Sequence, residues 1–204
     1  MTSPVIPGSV VWSGDNPGIY LQDDNGEWQS LAVYFRIVTS KHGSGSGMVV
    51  LGAPRAASGW PASQNLCIST NQPLMRWLVS DFVARFGAFR GMAGLQSMTY
   101  LAATSASTSG DGSSFHAETL EGAGVSAALR WEGLSAPFAA DVPPAQSATG
   151  EHRMLSVFVQ AQTGSISLNG APLPGKIIER DFLGGRMNTS FLAFCETWIT
   201  PCAA

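Results

Sequence analysis

The chain has 204 residues and a formal net charge of −3, and only 12% of its residues are charged. An average soluble domain carries roughly 25% charged residues, and a nucleic-acid-binding surface needs a dense group of Lys and Arg that this sequence lacks. The composition therefore argues against a nucleic-acid partner. It favours one domain over residues 1–204, with a weakly charged surface that permits a homo-oligomer.

The N-terminal stretch and the cysteines indicate where the protein works. The first residues lack the basic and apolar regions of a signal peptide, and no apolar run approaches the roughly 20 residues of a membrane span. Cys67, Cys195 and Cys202 have neither the number nor the spacing of a disulfide framework or a zinc site. We therefore expect a cytoplasmic protein with no membrane partner.

Taken in chain order, the sequence reads mainly as short strands and turns. Residues 1–18 contain three prolines and little periodicity, which predicts mainly an extended N-terminal arm, with Val10–Trp12 as a possible edge strand. Beyond the arm, β-branched and aromatic runs alternate with Gly- and Pro-rich turns, and each run predicts a strand. The predicted strands are residues 28–38, 48–53, 65–70, 95–108, 114–121, 125–134, 152–162, 165–170 and 191–200.

One α-helix is predicted at about 73–87. Asn71 or Gln72 can cap it, Pro73 suits its first turn, and a glycine ends it. Its apolar residues fall on one half of the cylinder, so the helix should pack on a sheet. Trp77 lies off this apolar arc, which predicts either a rim contact or a partner interface.

The element count defines the fold class. About ten strands and one helix, without strand–helix alternation, disfavour a parallel α/β sheet. We predict a mainly β fold: an antiparallel barrel, lipocalin- or calycin-like in general architecture, with the helix packed on it. A two-sheet sandwich is the alternative.

The strand pair within residues 112–134 contains the first candidate site. Side chains alternate faces along a strand, so His116 and Glu118 share one face and Phe115 lies on the other. If Phe115 faces the core, His116 and Glu118 are solvated; if the barrel encloses a polar cavity, they line it. In a cavity His116 would act as general acid or base, because histidine titrates near neutrality. Glu118 would orient the ring or supply a second proton site.

The last predicted strand adds a second carboxyl group. Alternation places Leu192, Phe194, Glu196 and Trp198 on one face. Apolar surroundings would raise the pKa of Glu196 and suit it to proton transfer. The alternative is an edge strand with Glu196 in water or paired with an arginine. Glu196 completes the predicted catalytic set, with Phe194 and Trp198 as predicted substrate contacts.

Three arginines are also predicted to contact substrate. Arg130 could pair with Glu118 across the strand pair or hold an anionic group, the alternative being a surface position. Arg180 and Arg186 flank a glycine pair within residues 180–186. That segment predicts either a rim that closes over a ligand or a solvated loop.

Three functions are compatible with these patterns. The first is an enzyme that isomerises, cyclises, hydrates or eliminates a small, largely apolar metabolite in the barrel cavity by acid/base catalysis, with no cofactor and no metal. The second is a non-catalytic carrier with the same cavity. The third is a structural or interaction module that uses exposed aromatics such as Trp60 and Trp77. A polar cavity with convergent His and Glu favours the first, an apolar cavity the second, and a filled core the third.

Overall fold

The computed structural model describes residues 5–202 and is mainly β, with 56% strand and 11% helical content. The predicted antiparallel, mainly β fold is confirmed, because most strands belong to one 13-stranded sheet dominated by antiparallel pairs. The strands are β1 (Gly8–Asp15), β2 (Gly18–Gln22), β3 (Trp28–Ser40), β4 (Gly45–Leu51), β5 (Asn65–Ser69), β6 (Thr99–Ala102), β7 (Ser105–Gly110), β8 (Phe115–Gly122), β9 (Val125–Leu134), β10 (Phe138–Val142), β11 (Arg153–Leu168), β12 (Ala171–Pro172), β13 (Glu179–Phe182), β14 (Gly185–Asn188) and β15 (Ser190–Pro201). The helices are α1 (Gln72–Asp81) and α2 (Ala93–Ser97), with 3₁₀ turns at Val83–Arg85 and Pro144–Gln146.

The strand order of the large sheet is β6-β5-β4-β3-β1-β15-β11-β9-β8-β7. β2 bridges β3 and β15, β10 and β12 pair with β11, and β13 and β14 form a separate hairpin. The two ends of this order, β6 and β7, are separated in sequence by Ala103 and Thr104 alone. The Ala103 N–H donates to the Ser69 carbonyl and the Thr104 N–H to the Glu121 carbonyl, which ties this link to β5 and to β8.

Residues 8–15 correct the prediction of an N-terminal arm. They form β1, which pairs with β15 on one side and with β3 on the other, and Trp12 within it is fully buried. Pro7 and Pro17 lie outside this strand, so neither removes a hydrogen bond from it. These two prolines therefore flank a central strand of the sheet. Residues 1–4 of the predicted arm lie outside the described residues.

Helix α1 begins where the sequence predicts and ends earlier. The Asn71 side chain accepts the Leu74 N–H at 3.1 Å, which satisfies a free donor of the first turn. The helix ends at Asp81 because Phe82 leaves the α region with φ −122° and ψ −61°, and the chain continues as a 3₁₀ turn. Neither α1 nor any other helix within residues 5–202 has the length and apolarity needed to cross a bilayer.

Trp77 and Trp60 are not the exposed aromatics that an interaction module would use. Trp77 is only 9% exposed, and its ring packs on those of His42 and Phe82 at centroid distances of 5.0 and 5.5 Å. Lys41 Nζ lies 4.9 Å from the same ring. Trp60 is half-buried. Trp77 therefore does not offer the exposed ring that the third functional hypothesis expects, and that hypothesis stays a prediction.

Both faces of β3, β4 and β5 are buried over most of their length, which explains why these strands read as nearly continuous apolar runs. Alternate residues of β3 belong to two separate clusters. The helix-side cluster includes residues of α1 together with Leu31, Val33, Phe35, Phe82, Phe158, Phe191 and Trp198. The opposite cluster includes Ala32, Tyr34, Leu120, Leu129, Trp131, Ile166 and Leu192. Each large apolar side chain buried in these clusters contributes roughly 1.5–3 kcal/mol to stability.

Candidate functional site

A pocket of about 130 Å³ lies on the helix-side face of the sheet. Strands β2, β11 and β15 form its floor, and residues 86–87, 146–148, 180 and 182–183 form its walls. Most of its lining is apolar, with a few polar groups. The side chains most relevant to function are Asn16, Tyr20, Phe158, Arg180, Glu196 and Trp198.

Glu196 is the carboxyl group of this pocket and is only 3% exposed. The Trp198 Nε1–H donates to Glu196 Oε1 at 2.6 Å, and Asn16 Nδ2 donates to the same oxygen at 3.2 Å. Burial raises the pKa of Glu196 to about 7, against the smaller opposing effect of these two donors. Both donors reach Oε1, so Oε2 is the oxygen available to carry a proton. A carboxyl group with this pKa both gives and takes a proton near neutrality.

A bulge in β15 brings Glu196 into the pocket. Cys195 has φ +52°, and the register of β15 against β11 shifts at this point. An extra residue reverses the alternation of side chains that follow it. Leu192 and Phe194 therefore pack in the opposite cluster, whereas Glu196 and Trp198 line the pocket. The expectation that all four residues share one face is wrong for this reason.

Tyr20 and Arg180 supply the remaining polar groups. Burial raises the pKa of Tyr20 to about 12, so its hydroxyl stays neutral and can donate a hydrogen bond. Arg180 Cζ lies 5.4 Å from the ring centre of Tyr20, 5.3 Å from that of Phe182 and 5.7 Å from that of Phe191. Within residues 5–202, Arg180 Nε is buried without a hydrogen-bond acceptor, as is the amide oxygen of Asn16 without a donor.

His116 and Glu118 share the buried face of β8, but they do not line this pocket. Glu118 accepts hydrogen bonds from Arg36 at 2.7 Å and Thr108 at 2.8 Å, and its Oε1 lies 2.9 Å from His116 Nε2. The His116 ring packs against the Phe194 ring at 5.7 Å. Both carboxylate oxygens of Glu118 therefore have partners, and the network links β3, β7 and β8.

The other two arginines predicted to bind substrate lie on the surface. Arg130 Nε donates to Glu132 at 2.8 Å, in place of the expected pairing across the strand pair. Arg186 donates to Asp181 at 3.1 Å and lies 3.5 Å from Glu179, both on the same hairpin. Their charges are thus matched by neighbouring exposed carboxylates.

Sequence reasoning missed Asn16, Tyr20 and Arg36. Asn16 lies within the predicted arm, and Tyr20 lies just beyond it in a stretch given no structure, so neither carried a signal. Arg36 did carry one, since it is a single charge within the apolar run of β3. A charge in such a position requires a partner, and the partner that it finds is Glu118.

No three His, Cys, Asp or Glu side chains in the described part of the chain are grouped so that they could hold a metal ion. No protein-family model, no curated protein and no solved structure matches this chain. Function is therefore argued from the chemistry of the pocket, since a fold class alone is compatible with many activities.

Proposed function

We propose that the protein binds a small, largely apolar molecule in this pocket and that Glu196 transfers a proton to or from it. The observation that carries the proposal is a buried carboxyl group with a pKa of about 7 in a largely apolar pocket. Small-molecule sites are usually concave and mostly apolar, with a few polar groups that orient the ligand. A carboxyl group perturbed by burial in such a site is typical of a general acid or base.

The size of the pocket restricts the ligand. Its volume of about 130 Å³ is close to the roughly 150 Å³ of an engineered apolar cavity that accommodates benzene. Phe158 and Phe191 from the floor and Val142 from the rim offer apolar contacts. A molecule with a single ring or a short aliphatic chain fits these dimensions. We therefore propose the helix-side pocket as the ligand site, in place of the barrel interior that the sequence pattern predicts.

A single carboxyl group titrating near neutrality favours isomerisation among the acid/base reactions considered. The carboxylate form of Glu196 takes a proton from a carbon next to a carbonyl group, and the electron pair moves onto the carbonyl oxygen. The neutral Tyr20 hydroxyl is suited to donate a hydrogen bond to an oxygen that gains charge. Where the ligand carries a carbon–carbon double bond next to that carbon, Glu196 then returns the proton to the far carbon of the double bond. The double bond moves into conjugation with the carbonyl group as the carbonyl forms again. Neither a second base nor a cofactor is required.

A non-catalytic carrier is the second candidate. Asn16 and Trp198 hold Oε1 of Glu196 in place, and a protonated carboxyl group can also serve as a hydrogen-bond donor to a ligand that is bound without reaction. The two candidates differ in one measurable property. Only the enzyme exchanges protons between the ligand and Glu196.

Cyclohexanone tests both candidates, because it has the size of one ring and carries exchangeable protons beside its carbonyl group. We expect it to shift the indole N–H resonance of Trp198 in an NMR titration. Ala148→Phe fills the pocket wall and should abolish the shift, whereas Ala136→Phe, on an exposed loop, should not. In heavy water, the wild type should introduce deuterium into bound cyclohexanone faster than Glu196→Gln does.

The outcomes separate the hypotheses. Binding that Ala148→Phe leaves intact contradicts the pocket proposal, and so does the failure of cyclohexanone and of other one-ring ligands alike to bind. Binding without deuterium incorporation supports the carrier. Deuterium incorporation that Glu196→Gln removes, and that the exposed Glu132→Gln retains, supports the enzyme.

We also infer that the large sheet closes into a barrel. Ala103 and Thr104 join the two end strands and bond to β5 and β8 respectively. A Cβ on Gly122 of β8 would lie 2.2 Å from the carbonyl oxygen of Ala102 in β6, so the backbones of these strands are in contact. The lipocalin- or calycin-like architecture, the cytoplasmic location and the homo-oligomer stay predictions.

A further inference from the structure

We propose that the molecule bound in the pocket is a small monocarboxylate whose anionic group pairs with Arg180. The inference rests on the proposed function, because it specifies the ligand of the same pocket. It follows from the surroundings of Arg180, from the charges elsewhere in the pocket, and from the pairing of the other arginines.

The alternation of side chains along β13 leaves Arg180 without a carboxylate. Glu179 and Asp181 precede and follow it in sequence, yet both interact with Arg186 of β14. Because neighbouring residues of a strand point to opposite faces, the two acids lie on the face away from the pocket. Arg180 itself lines the pocket, together with Phe182.

The other arginines of the described chain show how this protein usually balances a guanidinium charge. Arg76 and Arg90 are exposed and have no carboxylate partner among the described residues, because water solvates their charges. Arg180, by contrast, is half-buried, and its Nε has no acceptor within residues 5–202. The arginines with a carboxylate within ion-pair distance are Arg36, Arg55, Arg85, Arg130, Arg153 and Arg186.

Aromatic rings orient Arg180 without neutralising it. The guanidinium group lies between 5.3 and 5.7 Å from the ring centres of Tyr20, Phe182 and Phe191. Such contacts favour a cation but offer no hydrogen-bond acceptor to its N–H groups. An arginine presents a planar pair of donors that matches the two oxygens of a carboxylate. A ligand carboxylate in the pocket would therefore accept hydrogen bonds from the guanidinium group and balance its charge.

The remaining polar groups of the pocket favour a single negative charge. Among the described lining residues Arg180 is the one cation, and Asn16 and Tyr20 are neutral. A phosphate dianion would bring a second negative charge that no described group in the lining balances, and an ionised Glu196 would repel the dianion more strongly than a monoanion. A ligand cation would meet Arg180 unfavourably. The apolar body of a carboxylate instead covers the rings of Phe158 and Phe191.

Benzoate, benzamide and phenyl phosphate test the inference, because they share one ring and differ in charge. Dissociation constants would be measured by calorimetry or by NMR for the wild type, Arg180→Gln and Arg186→Gln. We expect benzoate to bind the wild type about tenfold or more tightly than benzamide, since a hydrogen bond to a charged group is stronger than a neutral one. Arg180→Gln should remove this preference and leave benzamide binding within about twofold. Arg186→Gln should change neither.

The comparison of benzoate with benzamide uses the wild-type protein, so it holds even if a variant fails to fold. Arg180→Lys provides a second variant: it keeps the charge, loses the planar donor pair, and should retain part of the preference for benzoate. Equal binding of benzoate and benzamide overturns the carboxylate inference and leaves the pocket proposal standing. Tighter binding of phenyl phosphate than of benzoate also overturns it. Failure of cyclohexanone, benzamide and benzoate alike to bind contradicts the proposed function itself.

Discussion

At the scale of single residues, Glu196 couples the pocket to the stability of the fold. Its pKa rises from 4.5 to about 7 because the folded protein removes the carboxyl group from water. Between about pH 4.5 and pH 7 the folded state therefore binds more protons than the unfolded state, and the free energy of unfolding falls as the pH rises. The shift corresponds to a loss of stability on the order of 3 kcal/mol above this range. Such a cost is typical of a functional group rather than a structural one.

Replacing Glu196 with Gln tests this linkage. Glutamine is uncharged at every pH, so Glu196→Gln should exceed the wild type in stability by up to about 3 kcal/mol near pH 8 and match it near pH 5. Urea unfolding at both pH values measures the difference, and Glu132→Gln, at an exposed position, should show no comparable pH dependence. An advantage of equal size at both pH values would contradict the raised pKa.

Glu118 shows how a second buried carboxyl group is used differently. It is 1% exposed, and Arg36, Thr108 and His116 all contact its oxygens. Asp15 also lies 3.4 Å from Arg36, which extends the network to β1. Both oxygens of Glu118 have partners within this network, whereas Glu196 receives its two donors on one oxygen only.

At the scale of secondary-structure elements, the bulge in β15 decides which side chains reach the pocket. Cys195 is exposed and has φ +52°, a conformation in which glycine is unstrained and a β-branched residue is disfavoured. The Cys195 N–H donates to Asp15 Oδ1 at 3.1 Å, which holds the bulge against the end of β1. Glu196 lines the pocket only as long as this bulge persists.

Two substitutions at Cys195 test the bulge. Cys195→Val should destabilise the protein by about 1–2 kcal/mol because of the positive φ, and Cys195→Gly should cost nothing or stabilise it by up to about 1 kcal/mol. An ordinary strand shows the reverse order, because valine favours strands and glycine weakens them. Thr200→Val and Thr200→Gly, later in β15, are the controls for that reverse order. The urea midpoints of the four variants measure the effect. The same order of stability at Cys195 and at Thr200 would contradict the bulge.

At the scale of the whole molecule, β8 and β6 come into backbone contact, which is the observation behind the proposed closure of the large sheet. Gly122 is the point of closest approach, because a Cβ there would lie 2.2 Å from the Ala102 carbonyl oxygen. Backbone atoms cannot move away from such a Cβ without separating the strands.

Gly122→Ala is therefore expected to destabilise the protein by about 3 kcal/mol or more, since the two strands must part to accept a methyl group. Gly87→Ala is the matched control. A Cβ on Gly87 would meet no atom within 4 Å, and its substitution should stay within about 0.5 kcal/mol of the wild type. Guanidinium unfolding of both variants measures the difference. Equal effects would contradict the contact and, with it, the proposed closure of the sheet.

Much of the local structure follows from the sequence alone. The apolar periodicity and the Asn71 cap located the start of α1, and β-branched runs located most strands, because both signals act between residues close in the chain. The same local rules failed where backbone segments approach closely. Gly164 reads as a turn, yet it lies inside β11, where a Cβ would meet Ser190 Oγ at 2.2 Å. Its role is to make room for a distant strand, which local patterns do not encode.

The sequence by itself determined that the protein is mainly β, that a helix covers the sheet, and that Glu196 is unusual for its surroundings. It showed Arg180 only as a charged residue beside a glycine pair. Only the tertiary structure decided that these two residues share a pocket from which His116 and Glu118 are absent. The physical reason lies in the bulge at Cys195, which depends on pairing with β1 and β11. A shift of one residue exchanges the two faces of a strand, and that shift is set by contacts far apart in the chain.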